Sequence, residues 1–225
     1  MQDAKRVFSL GLCALAVFVL WTFMLQMVDV KMAGESMSYV GLSKINVWFH
    51  RITNVHMWLY YLTDWLGLVP VFVCMGFGVL GLAQLISRRS LLKVDLDILL
   101  LGIYYIVVIL CYLAFEMVPL NYRPILIQGR LEASYPSSTT LLTLCVMPTL
   151  TMQIGRRCRR QVWNKIVPWV SNTFATLMVV GRLISGVHWL TDIIGAICLS
   201  CGLFCIYKGS VLLWCKREIG DNNGI

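Results

Sequence analysis

Three clusters of polar residues in the second half of the chain have the types and spacings that phosphate chemistry uses. The first is Arg123-Pro124. The second is Tyr135-Pro136-Ser137-Ser138-Thr139-Thr140. In the third, Gly181-Arg182 is followed after five residues by His188 and after three more by Asp192. On a helix, residues i and i+4 share a face, so Asp192 can fix the tautomer of His188 and stabilise its positive form. Arg123 and Arg182 offer planar forks that match phosphate oxygens. Ser137, Ser138 and Thr139 open a helix after a proline, where hydroxyls, free amides and the helix dipole favour an anion. Together these features imply phosphoryl transfer through a histidine nucleophile.

The elements that must bring these clusters together are membrane helices. The chain has 225 residues, 59% hydrophobic and only 13% charged, against about 25% charged in ordinary soluble domains. Segments 7–28, 65–86 and 98–115 contain no charged residue, and roughly 20 apolar residues suffice to cross the hydrocarbon. Further crossings are expected near 137–154, 166–184 and 189–214. The first apolar run follows Lys5 and Arg6, but it exceeds the roughly 7–15 residues of a signal-peptide core and predicts a retained helix. The expectation is an all-α polytopic membrane protein of about six transmembrane helices, with residues 1–225 forming a single membrane domain.

Charge sets the expected orientation. With six crossings, thirteen of the nineteen Lys and Arg residues fall on the side of both termini, notably Arg156–Arg160, and six on the other side. By the positive-inside rule both termini are cytoplasmic and the three polar clusters face outward. The net charge of +8 is thereby read as topology signal and anionic-lipid contact, which excludes a nucleic-acid partner. The outer loop 29–64 mixes apolar and polar residues and predicts an amphipathic helix along the membrane surface. Asp64, next to Trp65 and close to Tyr60 and Tyr61, fits an interfacial aromatic belt, and His50 and His56 fit interface histidines. Most of the nine cysteines, Cys198, Cys201 and Cys205 among them, lie in apolar helices and read as packing.

The clusters resemble the three motifs of the type 2 phosphatidic acid phosphatase (PAP2) superfamily, which also includes vanadium haloperoxidases. That pattern is Lys-x6-Arg-Pro, Pro-Ser-Gly-His and Ser-Arg-x5-His-x3-Asp. Arg182, His188 and Asp192 match the third motif, with Gly181 in place of serine. Arg123-Pro124 matches half of the first, with Glu116 at the lysine position. In the second, Pro136 and Ser137 match and Thr139 stands where the family has histidine. The resemblance covers roughly residues 60–210 and implies a PAP2-like helical bundle of the membrane branch.

The resemblance also implies roles. His188 would attack phosphorus and Asp192 would orient it. Arg123, Arg182 and Ser137 would hold the phosphoryl oxygens, with Ser138 and Thr139 beside them. Arg130 could stand in for the missing lysine, and Glu116 could pair with Arg123 or Arg130. The implied activity is hydrolysis of a lipid phosphate or diphosphate, of phosphatidic-acid or polyprenyl diphosphate type, on the outer side of the cell membrane. No metal or other cofactor is implied, because arginines and amides stabilise the charge, and the implied partners are lipid substrate and membrane lipids. The alternatives are a catalytically impaired relative that binds lipid phosphates, and a small transporter or scaffold. Oligomeric state is not legible in the sequence.

Overall fold

The computed structural model describes residues 2–35 and 37–222, with side chains described as far as Trp214. Lys216 and Arg217, counted above in the basic set, lie outside the described side chains. α1 (Gln2–Met27) is followed by an antiparallel pair, β1 (Lys31–Ala33) and β2 (Ser38–Val40), with Lys31 opposite Val40. Then come α2 (Ser43–Thr53), α3 (Met57–Leu66), α4 (Leu68–Arg88), α5 (Leu96–Met117), α6 (Ser138–Arg157), α7 (Gln161–Ile184) and α8 (Leu190–Asn222). The chain is a helical bundle, as the apolar runs predict.

α8 is the central helix, packed by α1, α5, α6 and α7. Glycines bring α1 against it. A Cβ on Gly11 would come within 2.8 Å of Ile206, one on Gly202 within 2.6 Å of Leu15, and one on Gly209 within 2.9 Å of Phe8. Such small-residue seams drive helix association in lipid, where hydrophobicity supplies no force between helices. The core continues through Ile98, Leu101, Tyr104 and Val108 of α5, Leu141 and Cys145 of α6, and Ala196, Leu199 and Leu203 of α8.

Among the described residues, five helical stretches are long and apolar enough to cross a membrane: 2–27, 57–88, 96–117, 161–184 and 190–214. The sixth expected crossing, α6, spans 20 residues but falls outside that set because its serine, threonines and Gln153 lower its mean hydropathy; most of these polar groups point inward. Thr140, Thr143, Thr149 and Gln153 are buried, and Gln153 donates to the Tyr207 hydroxyl at 2.9 Å. α3 and α4 form one stretch broken at Gly67, so the second crossing begins near Met57, eight residues before the expected Trp65. Tyr60, Tyr61 and Asp64 therefore lie on a helix and not in a loop.

The surface helix expected in the outer loop is α2. Ile45, Trp48 and Ile52 are exposed along one side, whereas Ser43 and Asn46 are buried on the other. Asn46 donates to Thr191 Oγ1 at 2.9 Å and accepts from Thr191 N–H at 3.2 Å, which ties α2 to the start of α8. A polar inner side and an apolar outer side suit a helix that meets lipid. At the opposite end of the bundle, Arg157 reaches both Asp95 (2.9 Å) and Asp97 (2.8 Å), and Arg156 reaches Asp97 at 3.3 Å. Part of the basic run thus also clasps α6 to the start of α5.

Candidate functional site

The connection from α5 to α6 is a hairpin-like loop. Ser134 N–H donates to Asn121 O, Arg123 N–H to Glu132 O, and Ile127 and Arg130 exchange both backbone bonds. Its tip needs two residues in the left-handed region, Gln128 at φ 51° and Gly129 at φ 75°, as tight hairpin turns do. The loop aligns Asn121, Arg123, Glu132 and Ser134 beside the turn between α7 and α8. That turn depends on Gly186, at φ 72°, where a Cβ would lie 2.0 Å from the carbonyl oxygen of Asn54. It places His188 just before α8 and Asp192 in the first turn.

Asp192 is fully buried and well satisfied. It accepts from Trp189 N–H at 2.9 Å, from Asn121 Nδ2 at 3.3 Å and from the hydroxyl of Ser134. Its Oδ2 stands 3.8 Å from His188 Nδ1, beyond hydrogen-bond reach. Nδ1 instead lies 3.1 Å from Ser134 Oγ and 3.2 Å from Ser134 O. Nε2 of His188 has no partner among the described residues. Burial, then the charges of Arg123 and Arg182, pull the imidazole pKa well below its ordinary value, so the ring is neutral at neutral pH.

Two guanidiniums stand over one ring. Arg182 lies 5.0 Å and Arg123 5.5 Å from the centroid of Tyr60, within cation–π range. Each has a carboxylate: Arg182 Nη2 reaches Asp64 at 3.3 Å and Arg123 Nε reaches Glu132 at 3.1 Å. Arg182 Nη2 also donates to Thr139 Oγ1 at 2.5 Å, while its Nε and Nη1 have no partner among the described residues.

A polar cavity of about 340 Å³ opens at this point, lined by Glu116, Arg123, Arg130, Glu132, Ser138 and His188 among others. Beside it an apolar groove of about 540 Å³ runs between α4 and α5 over Leu68, Val71, Ile109, Leu113, Thr139 and Leu142. Tyr112, Ser138 and Leu141 belong to both walls. Among the described residues, no group of three or more His, Cys, Asp and Glu is placed to hold a metal ion.

The residues singled out in the sequence converge, in three tiers. Arg123, Ser138, His188, Arg130 and Glu116 reach the polar cavity. Arg182, Thr139 and Asp192 stand around it. Ser137 does not reach the cavity, being fully buried with its hydroxyl given to Thr140 Oγ1 at 3.0 Å. Arg123 takes its carboxylate from Glu132, and Asp64 serves as an ion partner of Arg182 rather than only an interfacial residue. Ser134, Asn121 and Glu132 were not singled out in the sequence, and Asp64 and Tyr60 were read there only as interfacial residues. Ser134 sits two residues before Pro136 and Asn121 two before Arg123, so proximity to the clusters was the available signal. Asp64 and Tyr60 come from a different helix and gave none.

Residues 115–213 match the family model of the PAP2 superfamily. The fold is similar to that of a transmembrane PAP2-type phosphatidylglycerolphosphate phosphatase from Bacillus subtilis, with a TM-score of 0.63 and 16% sequence identity over 89% of this chain and 94% of that one. No curated protein sequence gives a significant match. Both the family model and the fold fall where the three clusters lie, and the resemblance read from them is borne out.

Proposed function

Starting from a PAP2-superfamily segment at 115–213 on the fold of a membrane PAP2-type phosphatase, we propose that the protein hydrolyses a lipid phosphate or diphosphate through a phosphohistidine at His188. The observation that carries this reading is the Nε2 of His188. It is a buried nitrogen with no protein partner among the described residues, in a side chain that lines the same cavity as Arg123. A neutral imidazole with a free lone pair is a competent nucleophile. Nε2 bonds to phosphorus as the ester or anhydride oxygen leaves with its electron pair, and water then attacks the phosphohistidine to release phosphate. Arg123 and Arg182 offset charge on the transferring group.

The apolar groove against the polar cavity supports a lipid as substrate, since a headgroup in one and a chain in the other share the wall at Ser138 and Leu141. A chain on the groove would lie in the membrane, and the basic residues near Arg156 support an outward-facing site. Thr139 favours diphosphates. A threonine hydroxyl is a poor general acid, and general acid catalysis contributes roughly 10²–10⁴-fold. A leaving phosphate monoester, with a second pKa of about 6, needs that help least.

The test is phosphate release by purified protein from phosphatidic acid, phosphatidylglycerol phosphate and a polyprenyl diphosphate, with His188→Ala as control. Release that disappears in His188→Ala is expected. Equal release by the two proteins would exclude His188 as nucleophile. Saturable lipid-phosphate binding without release would instead favour the binding-protein reading, for which the specific observation is Thr139 held by Arg182.

A further inference from the structure

Between the histidine and the aspartate stands a third side chain, and its placement bears on how the pair works. Ser134 is 2% exposed. Its hydroxyl contacts both Asp192 Oδ2 and His188 Nδ1, whereas Oδ2 and Nδ1 are themselves 3.8 Å apart. We propose that Ser134 is a positioning residue through which Asp192 acts on His188, the carboxylate ordering the serine hydroxyl and the hydroxyl ordering the imidazole. The proposal rests on the phosphohistidine reading and specifies how that nucleophile is set.

A serine hydroxyl has one hydrogen and two lone pairs. Asp192 is an acceptor only when ionised, and the close contact to its Oδ2 claims the serine hydrogen. Ser134 Oγ then has only lone pairs to offer His188, so Nδ1 must be the ring nitrogen that carries hydrogen. The carbonyl oxygen of the same serine, 3.2 Å from Nδ1, can only accept and imposes the same choice. Both force the lone pair onto Nε2, the ring nitrogen with no partner among the described residues, in a side chain that lines the cavity. When Nε2 bonds to phosphorus the ring becomes a positively charged N-phosphoryl imidazolium. The Nδ1 hydrogen stays in place, and the Asp192 charge reaches the ring through the polarised hydroxyl. No proton moves along the chain.

The hairpin holds this arrangement in position. Ser134 N–H is bonded to Asn121 O at 2.9 Å, and Asn121 Nδ2 donates to the other oxygen of Asp192 at 3.3 Å. One carboxylate thus anchors both sides of the loop that carries Arg123. Direct Asp–His contact, the arrangement of the triads, is replaced by an interposed hydroxyl.

A purely structural serine and a relaying one differ in the state of His188. The chain has three histidines, so its ¹⁵N-histidine NMR spectrum is small enough to assign by His50 and His56 substitution. In the wild-type protein the expected His188 signal is the Nδ1–H tautomer, and in Ser134→Ala a mixture or a displaced Nδ1 resonance. This readout needs no turnover, so it decides the proposal even if no lipid phosphate is hydrolysed. An unchanged Nδ1 resonance in Ser134→Ala would overturn it and leave the backbone carbonyl as the whole orienting group.

Kinetics give the second arm. Ser134→Ala should lower kcat on the order of 10²-fold, less than the roughly 10⁴-fold lost when a triad carboxylate is neutralised, with KM little changed. Ser134→Thr, which keeps the hydroxyl, should recover most of the loss. In an Asp192→Asn background, Ser134→Ala should cost little more, since the two act as one unit. Fully multiplicative losses, or a Ser134→Thr no better than Ser134→Ala while thermal melting shows both folded, would refute the relay. His188→Ala active as wild type would refute the phosphohistidine reading instead, and the NMR result would still stand on its own.

Discussion

Arg182 donates through Nη2 to the hydroxyl of Thr139 at 2.5 Å. The position at which the PAP2 pattern carries its histidine is therefore an acceptor for one of the site's own arginines. The contact engages a lone pair of the hydroxyl and helps to hold the guanidinium still; the hydrogen the hydroxyl keeps is only weakly acidic, a poor proton source for a departing oxygen.

The exchange Thr139→His should consequently change substrate preference. Wild-type kcat/KM is expected to favour the diphosphate, and Thr139→His to speed monoester cleavage by at least tenfold more than diphosphate cleavage. The same comparison made on both substrates is decisive. A wild type that prefers the monoester, unaltered by the substitution, would show that leaving-group protonation comes from another residue such as Glu116.

Burial and two neighbouring arginines depress the pKa of His188, and the sign has two effects. The imidazole stays neutral to lower pH than an ordinary histidine of about 6.5, so the acid limb of kcat/KM should fall below that value. The unfolded chain takes up a proton near 6.5 that the folded chain refuses, so stability should decline as pH drops through that point. A pH–rate profile with its acid limb at or above 6.5 would mean that burial and the arginines do not depress His188.

Tyr60 carries both guanidiniums on its ring, at 5.0 and 5.5 Å. Cation–π contacts contribute about 0.5–2 kcal/mol each, so Tyr60→Leu should raise KM for lipid phosphate on the order of tenfold. Tyr60→Phe keeps the ring and should stay close to wild type. Equal effects from the two substitutions would shift the importance to the phenol hydroxyl.

Orientation is tested with reporters. One inserted near Arg159 should read as cytoplasmic and one near Arg130, at the hairpin tip, as external. Arg130 found inside would place the cavity on the cytoplasmic face.

How far the sequence reaches differs between fold and site. The helices were legible because apolar runs such as 98–115 are long, uncharged and bounded by polar residues. α6 was found from its proline and hydroxyl-rich start, although its threonines and Gln153 face inward and lower its apolarity. The His188–Asp192 pair was legible from spacing, since both lie on continuous chain. Ser134 was not, because its role depends on a hairpin whose register no periodicity announces. Asp64 and Tyr60 were read as membrane-belt residues, the ordinary meaning of carboxylate and aromatics near an interface. Only the packing of α3 against α7 gives them another. The same packing accounts for Gly181. A Cβ there would lie 2.7 Å from Thr63 Cγ2, so the serine of the family pattern does not fit unless Thr63 shifts.

On the proposed reading, Asp64 and Glu132, the partners of Arg182 and Arg123, are also counter-ions that a substrate phosphate must displace. Their side chains are 55% and 37% exposed, so both can turn aside. A phosphate that binds the same guanidiniums competes with anions built into the chain, and its affinity is a difference between two attractions rather than the whole of one. In the proposed reaction the carboxylates would reclaim the arginines as inorganic phosphate departs. Such internal counter-ions weaken the grip on substrate and on product alike, which favours rapid clearing of the site over tight retention.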